Sequence, residues 1–184
     1  MQDSKQFATS KPTAMAHIAL GSNLGDRENH LRSAIAALRQ FGRIEAVSSF
    51  YETDPVGDIS QSNFLNAAVA LTTALQPEEL LKALLRIEQQ QGRDRNTSPP
   101  KGPRTLDMDL LSYGDEMMET TSLTLPHPEL AQRLFVLVPL AEIAPHWTHP
   151  GSGKTAARLL AELSRADDLL GQKVRRIDTP EQSA

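Results

Sequence analysis

The sequence predicts an α+β fold, a ferredoxin-like split βαβ sandwich with extra elements at its C-terminal end. Two observations predict the fold class. Short apolar runs read as strands and longer patterns with helical spacing read as helices, in the order strand, helix, strand, strand, helix, strand. That order is the split βαβ arrangement. The 184 residues carry no internal repeat and no dividing linker, and the length fits one domain with a substantial core.

The elements follow in turn. Residues 16–20 read as a first strand, ended by Gly21, Ser22 and Asn23. A helix over about 26–41 places Leu31, Ile35 and Leu38 at helical spacing, with Gly42 as its C-cap. Residues 44–53 form a second strand. A turn at 54–57 and a polar loop lead to a third strand over 64–73. Pro77 opens a second helix that runs to about 91. Proline suits the first helical position, and Glu78 and Glu79 suit the positive end of the helix dipole. Gly92 ends that helix, a charged loop rich in proline and glycine follows, and the fourth strand carries Asp107 and Asp109. Helical patches near 128–142 and 155–165 complete a single domain over 15–175. Residues 1–14 and 176–184, rich in Gln, Ser, Thr and Pro, read as disordered tails.

Composition narrows the function classes. Lys and Arg number 19 against 23 Asp and Glu, a net charge of −4, which argues against nucleic-acid binding through overall charge. The absence of cysteine excludes disulfides and thiolate metal sites. No apolar run approaches a membrane span, and residues 1–14 lack a hydrophobic signal core. A soluble, cytoplasmic, monomeric protein is expected, with neither nucleic acid nor membrane as partner.

The most informative stretch is Gly102-Pro103-Arg104-Thr105-Leu106-Asp107-Met108-Asp109-Leu110-Leu111. Alternate side chains of a strand share a face, so Asp107 and Asp109 project together while Leu106, Met108 and Leu110 turn into a core. Two carboxylates fixed side by side in a buried strand call for a cation, because adjacent like charges there are costly. Mg²⁺ fits, being a hard ion that shares oxygen ligands with substrate phosphates. Arg104, at the strand's entrance, offers a planar fork matched to phosphate oxygens. By contrast, Gly151-Ser152-Gly153-Lys154-Thr155 only imitates a phosphate loop. The first glycine of that pattern is replaced by Thr148, and no buried strand precedes it.

Further segments join the aspartate strand in a fixed order. They are Ile18-Ala19-Leu20-Gly21-Ser22-Asn23-Leu24-Gly25, then Ser48-Ser49-Phe50-Tyr51-Glu52-Thr53-Asp54-Pro55-Val56-Gly57, Phe64-Leu65-Asn66-Ala67-Ala68 and Gly92-Arg93. After the aspartates come Leu125-Pro126-His127-Pro128 and Arg133-Leu134-Phe135-Val136-Leu137-Val138-Pro139-Leu140. The set resembles the 6-hydroxymethyl-7,8-dihydropterin pyrophosphokinase family of folate biosynthesis, over about residues 16–165. The resemblance implies a ferredoxin-like enzyme that uses two Mg²⁺ ions and ATP as co-substrate. ATP gives its pyrophosphoryl group to the hydroxymethyl oxygen of the pterin, and AMP leaves.

Residue by residue, the resemblance assigns Asp107 and Asp109 to metal binding and Arg93 and Arg104 to the phosphates. Arg95, Leu110, Thr124, His127 and Arg133 match ATP-contacting positions. Phe64 and Phe135 match the aromatic pair around the pterin ring and Asn66 its hydrogen-bonding edge, with Thr53, Pro55 and Val56 completing the pocket. His17, His30, His146 and His149 are left as structural or surface residues. The loop 95–101 departs from the family pattern, with Lys101 where some members carry tryptophan, and it is expected to close over ATP. Read from the residues alone, two other classes stay open: a different Mg²⁺-dependent nucleotidyl transferase, since paired carboxylates are widespread, and a noncatalytic RNA-binding module resting on the basic loop 93–104.

Overall fold

The computed structural model describes residues 13–55, 61–93, 102–167 and 173–177. Strand β1 (Ala14–Ser22) is followed by helix α1 (Arg27–Leu38), strands β2 (Arg43–Val47), β3 (Phe50–Thr53) and β4 (Phe64–Thr73), helix α2 (Pro77–Gln90) and strand β5 (Asp107–Tyr113). A short ribbon of β6 (Met118–Glu119) and β7 (Thr124–Leu125) follows, then a 3₁₀ turn (Leu130–Gln132), helices α3 (Leu134–Ile143) and α4 (Ala156–Asp167), and strand β8 (Val174–Ile177). The main sheet runs β5-β1-β4-β3-β8, with β2 also paired to β4, and every pairing is antiparallel. This is the expected ferredoxin-like order, with β2 and β3 pairing successive halves of β4.

The two faces of the sheet are covered differently. Ala16, Ile18 and Leu20 of β1, Leu65, Ala67, Val69 and Leu71 of β4, and Met108 and Leu110 of β5 form one core with Leu31, Leu38, Leu80, Leu84 and Ile87 of α1 and α2. Full burial of each such leucine or isoleucine is worth roughly 1.5–3 kcal/mol. The opposite face, under α3 and α4, holds a smaller core of Leu111, Leu130, Val136, Leu137, Leu140, Ala156 and Leu159. Strand β4 reads as an almost unbroken apolar run because both its faces are covered. Helix α2 starts as its sequence indicates, with Pro77 in the first turn and the Gln76 backbone N–H donating to Glu79 Oε2 at 2.9 Å.

Four differences from the sequence reading have local causes. The run 44–53 divides at Ser48 and Ser49, because the Ser48 hydroxyl accepts from the Ala68 N–H at 2.9 Å and the ladder is interrupted there. Helix α1 ends at Leu38 with Arg39 as its C-cap, not at Gly42. Gly42 is required by close approach, since a Cβ there would lie 2.2 Å from the Thr72 carbonyl oxygen. The patch at 128–142 breaks at Arg133, whose extended backbone (φ −128°, ψ 113°) separates the 3₁₀ turn from α3. The C-terminal tail expected from 176 instead begins inside a strand. Val174–Ile177 pairs with β3, and Arg175 Nη2 donates to Glu52 Oε2 at 2.8 Å. None of the described helices is long and apolar enough to cross a membrane.

Candidate functional site

A cavity of about 270 Å³ opens on the α3 side of the sheet, where β1 and β3 end and β4 and β5 begin. Ala19, Gly21, Asn66, Asp107 and Asp109 line it from the sheet, and Glu129, Gln132, Arg133 and Phe135 line it from the 3₁₀ turn and α3. Thr53, Asp54, Gln61, Phe64 and Arg104 also line it. The strand register explains the convergence, since Gly21 pairs with Asn66 on one side and with Asp107 on the other. Asn66 is buried, and its Nδ2 donates to Thr53 Oγ1 at 2.8 Å.

The aspartates project on one face as the alternation requires, and their surroundings differ. Asp107 is held by Arg104, whose Nη1 donates to its Oδ2 at 2.5 Å, and by Arg93 Nη1 on its Oδ1. Burial, and then the neighbouring Asp107 charge, hold the Asp109 carboxyl above the usual carboxylate range, against the opposing charges of His127, Arg133 and Arg104. A half-buried carboxylate pair in which one member resists ionisation fits a hard cation, which would supply the missing positive charge through oxygen ligands. Among the described residues no third histidine or acidic side chain joins them as a metal cluster. Oxygens of substrate and water suit the remaining positions around such a cation.

The arginines are set by the backbone. Asn23 clamps Arg104 from both sides: its Oδ1 accepts from the Arg104 N–H at 2.7 Å, and its own N–H donates to the Arg104 carbonyl at 3.1 Å. The Arg104 guanidinium also lies 5.4 Å from the centre of the Phe64 ring, and that of Arg133 lies 5.5 Å from the centre of Phe135. Arg133 is paired with Glu129. The His127 N–H donates to the Leu111 carbonyl at 2.8 Å, which ties its loop to β5 and sets the imidazole near Asp109.

Of the expected residues, Thr53, Phe64, Asn66, Arg104, Asp107, Asp109, Arg133 and Phe135 line this one cavity. Arg93 stands directly behind Asp107. Pro55 and Thr124 are described but do not line the cavity, and Thr124 sits in the β6–β7 ribbon. Leu110 turns the other way, 2 % exposed, into the core beneath α1 and α2. The same alternation that exposes Asp109 buries Leu110, so only its backbone could border a nucleoside. Val56, Arg95 and the loop 95–101 lie outside the described residues.

The sequence reading missed Asn23, Gly21 and Glu88 as site residues. Asn23 and Gly21 lie in the first strand's Gly-Ser-Asn ending, where they read as punctuation. Glu88 is 1 % exposed, and its Oε1 accepts from Arg93 Nη1 at 2.7 Å and from the Met108 N–H at 2.8 Å. A charged residue buried on the inner face of a helix whose apolar spacing it interrupts was the available signal.

Comparison with known proteins fits this geometry. The sequence model of the 7,8-dihydro-6-hydroxymethylpterin-pyrophosphokinase family matches residues 17–145. The chain is 52 % identical over 131 residues to a 2-amino-4-hydroxy-6-hydroxymethyldihydropteridine pyrophosphokinase of Bacillus subtilis, covering 70 % of this chain and 77 % of that one. It is 46 % identical over 150 residues to the protein of the same name from Synechocystis, covering 80 % and 75 %. Among solved structures, the wild-type Plasmodium falciparum HPPK-DHPS, crystallised with pterin and p-hydroxybenzoate, superposes with a TM-score of 0.69 at 17 % identity. That likeness covers 89 % of this chain and 45 % of the other, so the present chain spans under half of the larger protein's length, and it shows a shared fold. On the family match and these identities, the chain belongs to the 7,8-dihydro-6-hydroxymethylpterin-pyrophosphokinase family.

Proposed function

We propose that the protein transfers the β,γ-pyrophosphoryl group of ATP to the hydroxymethyl oxygen of 6-hydroxymethyl-7,8-dihydropterin, releasing AMP and the pterin diphosphate, as a step of folate biosynthesis. The observation that carries this reading is the placement of Asp107 and Asp109 on the floor of a cavity that Phe64, Asn66, Phe135, Arg104 and Arg133 also line. Family membership and the names of the relatives support the choice of substrates.

In this reading the flat pterin ring lies between Phe64 and Phe135, which offer aromatic faces to a heterocycle. Asn66 gives its Nδ2 to Thr53, so its Oδ1 is left to accept from an N–H of the ring. Asp107 and Asp109 would hold Mg²⁺, two ions in our reading, which supply charge neutralisation and alignment to the triphosphate. The hydroxymethyl oxygen forms a bond to the β-phosphorus and releases its proton to water, as the bond between that phosphorus and the α,β-bridging oxygen breaks and AMP departs with the electron pair. Arg93 and Arg104, already beside Asp107, place their guanidinium forks against the charge that grows on the leaving phosphate. His127 and Arg133 contact the triphosphate from the α3 side, and Thr124 borders the nucleoside. The protein acts as a cytoplasmic monomer.

The test is product analysis. ATP, Mg²⁺ and the pterin together should yield AMP, and omission of either Mg²⁺ or pterin should abolish it. Asp109→Ala should stop turnover while circular dichroism stays that of the wild type. Release of pyrophosphate instead of AMP would identify a nucleotidyl transferase, and full activity of Asp109→Ala would remove the metal assignment.

A further inference from the structure

We infer that Glu88 is a positioning residue of this site, whose buried carboxylate aims Arg93 at the incoming phosphates and fixes the strand between the two aspartates. The inference rests on the pyrophosphoryl-transfer reading and extends it to a residue outside the cavity. Glu88 occupies the last turn of α2, where the negative end of the helix dipole disfavours an anion. It is 1 % exposed, and an apolar side chain would serve the core better there. The charge is retained in spite of the fold's preferences, so its partners explain it.

Arg93 and Met108, its partners among the described residues, both lead to the site. Met108 lies between Asp107 and Asp109 on β5, an end strand of the main sheet. Its N–H donates to Glu88 Oε1 at 2.8 Å, so the carboxylate takes the place of a further strand and holds the backbone that sets the alternation of the aspartates. Arg93 is held twice by the same residue. Its backbone N–H donates to the Glu88 carbonyl at 3.1 Å, just past Gly92 with φ +82°, and its Nη1 donates to Glu88 Oε1 at 2.7 Å. The same Nη1 reaches the Leu106 carbonyl at 3.1 Å and Asp107 Oδ1. One nitrogen with two hydrogens thus serves three acceptors. When Asp107 turns its charge to a cation, the Glu88 and Leu106 contacts still hold the guanidinium beside the site. Glu88 is the partner that stays, and Asp107 is the one that exchanges.

The experiment is a double-mutant cycle on the full chain with Glu88→Gln, Arg93→Ala and the pair together. Glu88→Gln keeps the size and an oxygen for the Met108 N–H but removes the charge on Arg93. We expect kcat to fall about tenfold or more with the pterin KM within about twofold, and Glu88→Gln to add less than about twofold in the Arg93→Ala background. Calorimetric binding of a nonhydrolysable ATP analogue with Mg²⁺ should weaken similarly in both single variants, giving a readout apart from turnover. A merely structural role would lower the thermal midpoint, leave kcat per folded molecule unchanged, and multiply with Arg93→Ala. Either of the last two results overturns the inference. If Glu88→Gln does not accumulate folded, Glu88→Asp enters the same cycle, and non-additivity with Arg93→Ala remains the criterion. A wild type that forms no pterin-dependent AMP rejects the functional reading itself, whereas an active wild type with an equally active, folded Glu88→Gln rejects only the role of Glu88.

Discussion

Gly21→Ala adds one methyl group to the centre of the cavity floor, and its consequence follows from three distances. The new Cβ would lie 3.1 Å from Asn66 Oδ1, 3.8 Å from Phe64 Cδ1 and 3.9 Å from Asp107 Cβ. The last two are ordinary contacts. The first demands that Asn66 retreat by a few tenths of an ångström, yet its amide is buried and bound to Thr53 Oγ1 at 2.8 Å. The Oδ1 atom that meets the methyl group is the one that the proposed function assigns to accept from the pterin. Loss of one such hydrogen bond is worth about 1–1.5 kcal/mol, which corresponds to roughly a tenfold rise in the pterin KM. Stability should change little, because replacing a strand glycine gains about 0.5–1 kcal/mol and offsets the squeeze. The assay is steady-state kinetics with varied pterin at saturating ATP, beside calorimetric ATP affinity and a thermal melt. A pterin KM within twofold of wild type in a folded variant would refute the reasoning, as would an equal loss of ATP affinity.

Two further predictions concern stability. Asp109→Asn should abolish turnover and raise the thermal midpoint at neutral pH without metal. Its carboxyl is held above the usual range by burial and Asp107, so ionising it opposes folding once the pH exceeds the unfolded-state value. An unchanged or lower midpoint would contradict this. His17, which accepts from or donates to Ser112 Oγ at 2.8 Å and is 4 % exposed, is pushed by burial from 6.5 down to about 4. The unfolded chain then binds the extra proton between those values, so this contribution is intact above about pH 6.5 and is lost as pH falls towards 4, up to about 3 kcal/mol. Urea unfolding at pH 7, 5.5 and 4 should show a steeper acid loss for wild type than for His17→Gln, and parallel curves would rule the effect out.

Much of the scaffold was legible because its causes are local. Strand β4 was delimited by its unbroken apolar run, and α2 by Pro77 and Gly92, whose conformational preferences act on adjacent residues. The aspartate strand was legible because a period of two places Asp107 and Asp109 together whatever surrounds them. What the sequence hid depends on distant partners. Gly42 looked like a helix cap, but its constraint comes from Thr72 across the sheet. Ser48 interrupts the second strand through a bond to Ala68, twenty residues away. Strand β8 was hidden in a polar tail because two of its four residues are arginines, and the exposed edge of β3 decides its pairing. Glu88 went unremarked, since nothing within a few residues announces that Arg93 and Met108 converge on it. Leu110 is the opposite case: the family resemblance matches it to an ATP-contacting position, while its own alternation places its side chain in the core.

The central claim is tested most directly by following labelled phosphorus from ATP. Wild-type protein is incubated with the pterin, Mg²⁺ and ATP labelled in turn at the α-, β- and γ-phosphates. The account predicts that β- and γ-label move together into the pterin product while all of the α-label remains in AMP. Transfer of γ-label alone with formation of ADP, or α-label on the acceptor with release of pyrophosphate, would contradict it.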